Sequence, residues 1–219
     1  MSEPDWLGPA TDDPRLAPMT ALGDATRGLI EAVVETDVDL DAVAEATKEI
    51  AAITEQLNAK HRQSTLNMNP HEIRRRFVAY NPVIGTVNPF APPLVVDVDE
   101  NGRASARIQL SRVHEGPPSA VHGGIVALLI DQLLGHAVGT AGPPGMTASL
   151  TVNYRRPTPY DRELLVEAWH TGTDGRRVTA EARISADDVT YADAKALFIS
   201  VSPERRAELL RGDEESPLA

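Results

Sequence analysis

The chain has 219 residues, 42% of them hydrophobic, with no cysteine and a formal charge of −11. That length can bury one sizeable core with a small appendage; the missing cysteines exclude disulfides, thiolate metal sites and a cysteine nucleophile, and the acidic balance argues against nonspecific nucleic-acid binding, which needs a clustered positive surface. No apolar run approaches the roughly 18 residues of a membrane-spanning helix, and the N-terminus lacks the basic-then-apolar order of a secretory leader, so no membrane insertion and a cytoplasmic setting are expected.

Residues 1–18, rich in Pro and Asp, are expected to form a mobile tail. Residues 19–81 form a helical segment, with helices from Asp24 to about Glu35, from Asp39 to about Arg62 and from His71 to about Tyr80. In the second helix Leu40, Val43, Ile50, Ile53 and Leu57 recur at roughly helical intervals, and Asp39 or Asp41 can cap its start. Four prolines between Asn81 and Pro93 break regular structure, and a boundary is placed at 82.

Beyond it the hydrophobic period changes. Strands are expected over 94–98 and 103–111, joined by the turn Glu100-Asn101-Gly102. A Gly/Pro-rich loop, 112–121, leads into a helix from about Val121 to Val138. Four more strands follow, near 146–155, 163–171, 176–186 and 190–201, and the second domain closes at 203 before an acidic tail, 204–219. The order β-β-α-β-β-β-β has no second long helix to cover a parallel sheet, so the expected fold is α+β: an antiparallel sheet curled around one buried helix.

That helix carries the chemistry. Ile125, Val126, Ala127, Leu128, Leu129, Ile130, Leu133 and Leu134 leave it no obvious wet face, which predicts burial on all sides. Asp131 stands alone among them, and a carboxylate in such a place needs a reason, because burying one without partners costs several kcal/mol. At the helix start Gly123 and Gly124 present unpaired N–H groups and a partial positive charge, suited to a developing oxyanion. An acid and an oxyanion hole together suggest acyl transfer.

At this point a resemblance enters. The segment Glu115-Gly-Pro-Pro through His122-Gly-Gly to Asp131, with Met146-Thr-Ala and Thr151-Val-Asn-Tyr-Arg-Arg-Pro157, resembles hot-dog-fold acyl-CoA thioesterases over about residues 82–202. It is most similar to the branch with a His-Gly-Gly helix start and a helix aspartate, which includes phenylacetate-pathway-type and long-chain enzymes. The resemblance implies a hot-dog fold and a homodimer, or a dimer of dimers, with active sites at the subunit interface. It implies an acyl-CoA substrate, with coenzyme A as product and no separate cofactor.

Site roles follow from that resemblance and the chemistry. Asp131 is the expected general base or nucleophile, and the Gly123 N–H, with Gly124, the oxyanion donor. His122 would orient the thioester or cap its own helix. Thr147 matches a hydroxyl beside the carboxylate and is placed by strand alternation on one face with Ser149, Thr151 and Asn153. Asn153, Arg155 and Arg156 are the expected contacts to substrate, the arginines to coenzyme A phosphates, with Arg176 and Arg177 as weaker choices. Many bacterial relatives carry an Asn six residues before the His, where this chain has Gly116. The helical segment 19–81 is a possible lid over the acyl chain, which would favour medium or long substrates.

Plainer readings stand beside these. Asp131 can be a structural acid, Gly123-Gly124 a close-packing device, and Thr147 an ordinary strand threonine. The arginines can be a solvated face. His136, five residues from Asp131, lies about 140° round the helix and reads as packing. The histidines show no metal-ligand spacing, so no metal site is expected. Two other functions remain open: a non-catalytic acyl-CoA-binding module, and a hydratase or dehydratase, which would need Asp131 and a histidine to converge.

Overall fold

The computed structural model describes residues 14–61, 78–141 and 145–202. Residues 1–13, most of the helix expected over 71–80 and all of the C-terminal tail, 204–219, lie outside the described residues. Helix α1 spans Leu16–Glu35 and α2 spans Leu40–Asn58. Strands β1 (Asp97–Val98) and β2 (Ala104–Gln109) precede helix α3 (Gly123–Ala141). Strands β3 (Gly145–Tyr154), β4 (Glu163–Asp174), β5 (Arg177–Ala186) and β6 (Val189–Ser200) follow. All six strands form one antiparallel sheet in the order β1-β2-β4-β5-β6-β3, curled about α3.

Alternation built the sheet. Ala104, Ala106 and Ile108 on β2, Leu164, Val166 and Ala168 on β4, and Val178, Ala180, Ala182 and Ile184 on β5 all turn inward and are buried. So do Ala192, Ala194, Ala196 and Phe198 on β6. The many alanines leave a shallow floor, and into it α3 sets Leu129, Ile130, Leu133 and Leu134, each 0% exposed. Full burial of such a side chain is worth about 1.5–3 kcal/mol. The turn between β1 and β2 forms as expected: Gly102 has φ 76, and the Asp99 carboxylate accepts from the N–H groups of Asn101 and Arg103.

Several expectations change. Helix α1 begins at Leu16, inside the stretch assigned to a mobile tail and well before Asp24. The proline-rich segment is a packed one, with Val83, Val87, Ala91 and Leu94 buried. Its turns close through bonds such as Leu94 N–H to Val83 O, 2.9 Å, and the Asn81 side-chain oxygen accepts from Val83 and Ile84 N–H. The first half of α1 docks there. Gly23 is buried against that segment, where a Cβ would sit 2.8 Å from Thr86 O, and Arg27 donates to Asn88 O and Thr86 O.

From Glu31 to Lys60 every residue is exposed except Ile50, which is half-buried. Helix α2 therefore has no buried residue within one chain.

Helix α3 changes two more. Over Gly123–Thr140 it is long and apolar enough to cross a membrane, contrary to the reading that no such run exists, but half of that stretch is buried against the sheet. Its burial is also incomplete: Gly124 is exposed, and Ala127, Leu128, Asp131, Gln132 and Gly135 are only half-buried. These residues recur at helical spacing, so one stripe of α3 is left partly open.

Candidate active site

The open stripe carries the acid. Asp131 is half-buried on it, and the Thr147 hydroxyl donates to Asp131 Oδ1 at 3.0 Å. Among the described residues Oδ2 receives no hydrogen bond. The neighbouring Gln132 side chain accepts from Asn81 Nδ2 at 3.1 Å, so the segment before β1 is tied to the helix beside the carboxylate.

Thr147 reaches Asp131 because β3 is irregular. Its pairing with β6 steps from Thr147↔Phe198 to Ser149↔Leu197, so Ala148 is an extra residue, a β-bulge. Beyond it Leu150, Val152 and Tyr154 pair with the buried Ala196, Ala194 and Ala192, whereas Ser149, Thr151 and Asn153 pair with Leu197, Lys195 and Asp193. The bulge thus turns Thr147 to the helix side, with Leu150 and Val152. Simple alternation had put Thr147 on the face of Ser149, Thr151 and Asn153; a single added residue reverses that.

The start of α3 is built around two rings. His122 Nδ1 accepts from Gly124 N–H at 3.0 Å, and the His122 carbonyl accepts from Ile125 and Val126 N–H. His122 is therefore the cap of its own helix. Gly124, expected to be a second oxyanion donor, has its N–H occupied by that imidazole. The Gly123 N–H donates to no protein acceptor among the described residues. From the other side, the Tyr154 hydroxyl donates to the Gly123 carbonyl at 2.9 Å.

Gly116 has a steric reason. A Cβ there would lie 2.8 Å from His122 Cα and 3.0 Å from its Cβ and Cδ2, so any side chain would have to displace the imidazole. Its N–H donates to Ala120 O at 2.9 Å. Glu115 is employed by the same loop: its carboxylate accepts from the N–H of Ser119, which sits at φ 62.

The expected substrate contacts separate. Asn153 lies on the sheet face away from α3 and donates to Asp193 Oδ1 at 2.9 Å. Arg155 also pairs with Asp193, which raises the guanidinium's pKa and lowers the carboxyl's. Asn153 and Arg155 are therefore linked through one acid on β6, and the expectation that Asn153 shares a face with Thr147 is corrected. Arg156 is exposed, with no ion-pair partner among the described residues. Arg176 and Arg177 lie at the other end of β6, where Arg177 pairs with Ile199 while Tyr154 pairs with Ala192.

His136 is buried on the sheet side of α3, and that burial lowers its pKa. It does not share the face of Asp131. Among the described residues no group of three or more His, Asp or Glu is placed to hold a metal ion.

The bond from Tyr154 to Gly123 has no counterpart among the sequence expectations; its one signal there is the place of Tyr154 at the end of the strand that carries Thr147.

Residues 119–192 match the family model of the thioesterase superfamily. The acyl-coenzyme A thioesterase THEM4 of Xenopus laevis is 34% identical over 91 residues, which is 41% of this chain and 41% of that protein. THEM4 of Mus musculus is 36% identical over 93 residues, 42% of this chain and 40% of its own length. The matched region thus spans about two fifths of these curated relatives. A crystal structure of a thioesterase superfamily protein, 29% identical, covers 88% of this chain and 97% of its own, with a TM-score of 0.72.

Proposed function

We propose that this chain, which carries a thioesterase-superfamily domain over residues 119–192, hydrolyses an acyl-CoA thioester to a free acid and coenzyme A. The observation that carries the reading is the Thr147–Asp131 hydrogen bond on the open stripe of α3. It holds one carboxylate oxygen and leaves the other for a water molecule. Asp131 takes the proton as the water oxygen attacks the thioester carbon. Negative charge then grows on the carbonyl oxygen, which the Gly123 N–H receives. Collapse of that adduct breaks the C–S bond, and the sulfur leaves as the thiol with the proton Asp131 had taken. The alternative, direct attack by the carboxylate through a mixed anhydride, uses the same residues.

One chain does not complete this site. Gly123 and Asp131 are eight residues apart on one helix, about 12 Å at a rise of 1.5 Å per residue, too far for one carbonyl group. Two α3 helices running antiparallel about a two-fold axis would bring Asp131 of one copy to the Gly123 end of the other. The open stripe supports this, as does β3, an edge strand whose Met146 and Tyr154 are 43% and 54% exposed. The reading is therefore a homodimer. A preference for medium or long acyl groups is read from the apolar residues of the exposed arm, Val33, Leu40, Ile53 and Leu57, which would add apolar cover in an assembly.

Thiol release from acyl-CoAs of graded length and an aryl-CoA tests this, with wild type and Asp131→Asn. Turnover lost in a folded, dimeric mutant supports the mechanism; turnover that survives removes Asp131 from it. Thr147→Val is expected to lower kcat roughly ten- to a hundredfold, the worth of a hydrogen bond to a charged group. Tight acyl-CoA binding without hydrolysis would favour a binding module, and a short-chain optimum would overturn the chain-length reading.

A further inference from the structure

Two rings lie against the two glycines at the start of α3. A Cβ on Gly123 would lie 3.4 Å from Cε1, Cζ and Oη of Tyr154, and one on Gly124 would lie 3.1 Å from His122 Nδ1. The two rings are joined through the peptide between those glycines. The Tyr154 hydroxyl donates to its carbonyl, Gly123 O, at 2.9 Å, and its N–H, that of Gly124, donates to His122 Nδ1 at 3.0 Å. Hydrogen bonds on both sides of one peptide polarise each other, so the first strengthens the second. An Nδ1 that accepts leaves the ring proton on Nε2. His122 is exposed, so that Nε2–H is available to a ligand beside the Gly123 N–H.

We propose that Tyr154 is a positioning residue: through the Gly123–Gly124 peptide its hydroxyl holds His122 in the Nε2–H form, which donates to the thioester at the start of α3. The proposal rests on the thioesterase reading above. It accounts for three features together: glycine at 124, a tyrosine rather than an aliphatic residue at the end of β3, and an imidazole turned back onto its own helix. It also divides labour along β3. At one end Thr147 orients the acid of α3; at the other Tyr154 orients the donors of the same helix.

Tyr154→Phe keeps the ring against Gly123 and removes only the hydroxyl. Ring-nitrogen chemical shifts of His122 in 15N-histidine-labelled protein report the tautomer, and acyl-CoA thiol release reports turnover. Wild type is expected to show a protonated Nε2 and an accepting Nδ1. In Tyr154→Phe the two nitrogens should move toward averaged values, while kcat falls roughly three- to tenfold with KM little changed, as expected for one neutral hydrogen bond. Unchanged His122 shifts together with unchanged kcat overturn the proposal, as does a wild-type His122 protonated on Nδ1. A purely structural role for Tyr154 would lower stability without moving the tautomer, and that result overturns it too. If wild type hydrolyses no acyl-CoA, the thioesterase reading fails separately, and the nitrogen shifts alone decide whether Tyr154 sets His122.

Discussion

Helices α2 and α3 are each 19 residues long and are held by opposite means. In α2 no residue is buried, and its support is local: the Asp39 side chain accepts from Ala42 N–H at 2.8 Å, and Lys48 pairs with Glu45 at 2.7 Å. In α3 there is no acid in the first turn and no base in the last, and the sheet supplies the stability through four fully buried leucine and isoleucine side chains. An isolated helix of this length is marginal in water, so most helical stability in proteins comes from a packed face. The candidate site is on the packed helix; the arm is exposed, and a partner or ligand would have to supply its packed face.

The largest test of this contrast is volume deletion. Leu133→Ala, at a site 0% exposed, should lower the unfolding free energy by about 2–5 kcal/mol in urea titrations. Leu57→Ala, at a site 52% exposed on α2, should change it by less than about 0.5 kcal/mol. A Leu57→Ala loss as large as that of Leu133→Ala, growing with protein concentration, would mean that the arm is packed in an assembly and would break the comparison.

The cap is next. Asp39→Ala should cost about 1 kcal/mol, read as faster amide exchange confined to α2, with the exchange of α3 unchanged. Exchange rising in both helices would show that the two are coupled.

A further effect is on pH. Burial holds the His136 pKa below its ordinary value of 6.5. Unfolded chains take up that proton as pH falls through 6.5 while the folded protein does not, so the unfolded state binds more protons and stability falls toward acid. The slope from this residue is at most about 1.4 kcal/mol per pH unit. His136→Gln should flatten the fall between pH 7 and 5 in urea titrations. A residual slope of the same sign is expected from His114, whose pKa burial also lowers against the opposing Ser111 hydrogen bond and Glu31 charge.

Much of this protein was legible in the residues themselves. Strict alternation in Val178, Ala180, Ala182 and Ile184 marked β5, and the apolar run around Asp131 marked the central helix, because side-chain period is a local property of each element. Where the residues misled, the cause was pairing or packing between distant segments. The bulge at Ala148 exists only in the register of β3 against β6, so no period in 145–154 reveals that Thr147 faces Asp131. Asn153 and Arg155 are joined through Asp193, forty and thirty-eight residues on, a link that no local pattern carries.

The contact of Tyr154 with Gly123, across thirty-one residues, is of the same kind. The open stripe on α3 is another: composition alone makes the helix apolar all round, and only the single sheet packed against it decides which side is covered. Sequence by itself determined the strands, their order and the central helix that carries Asp131 and the two glycines. Tertiary structure decided which side chains meet, because a hydrogen bond between distant residues depends on register and packing angle, and neither is written in any one segment.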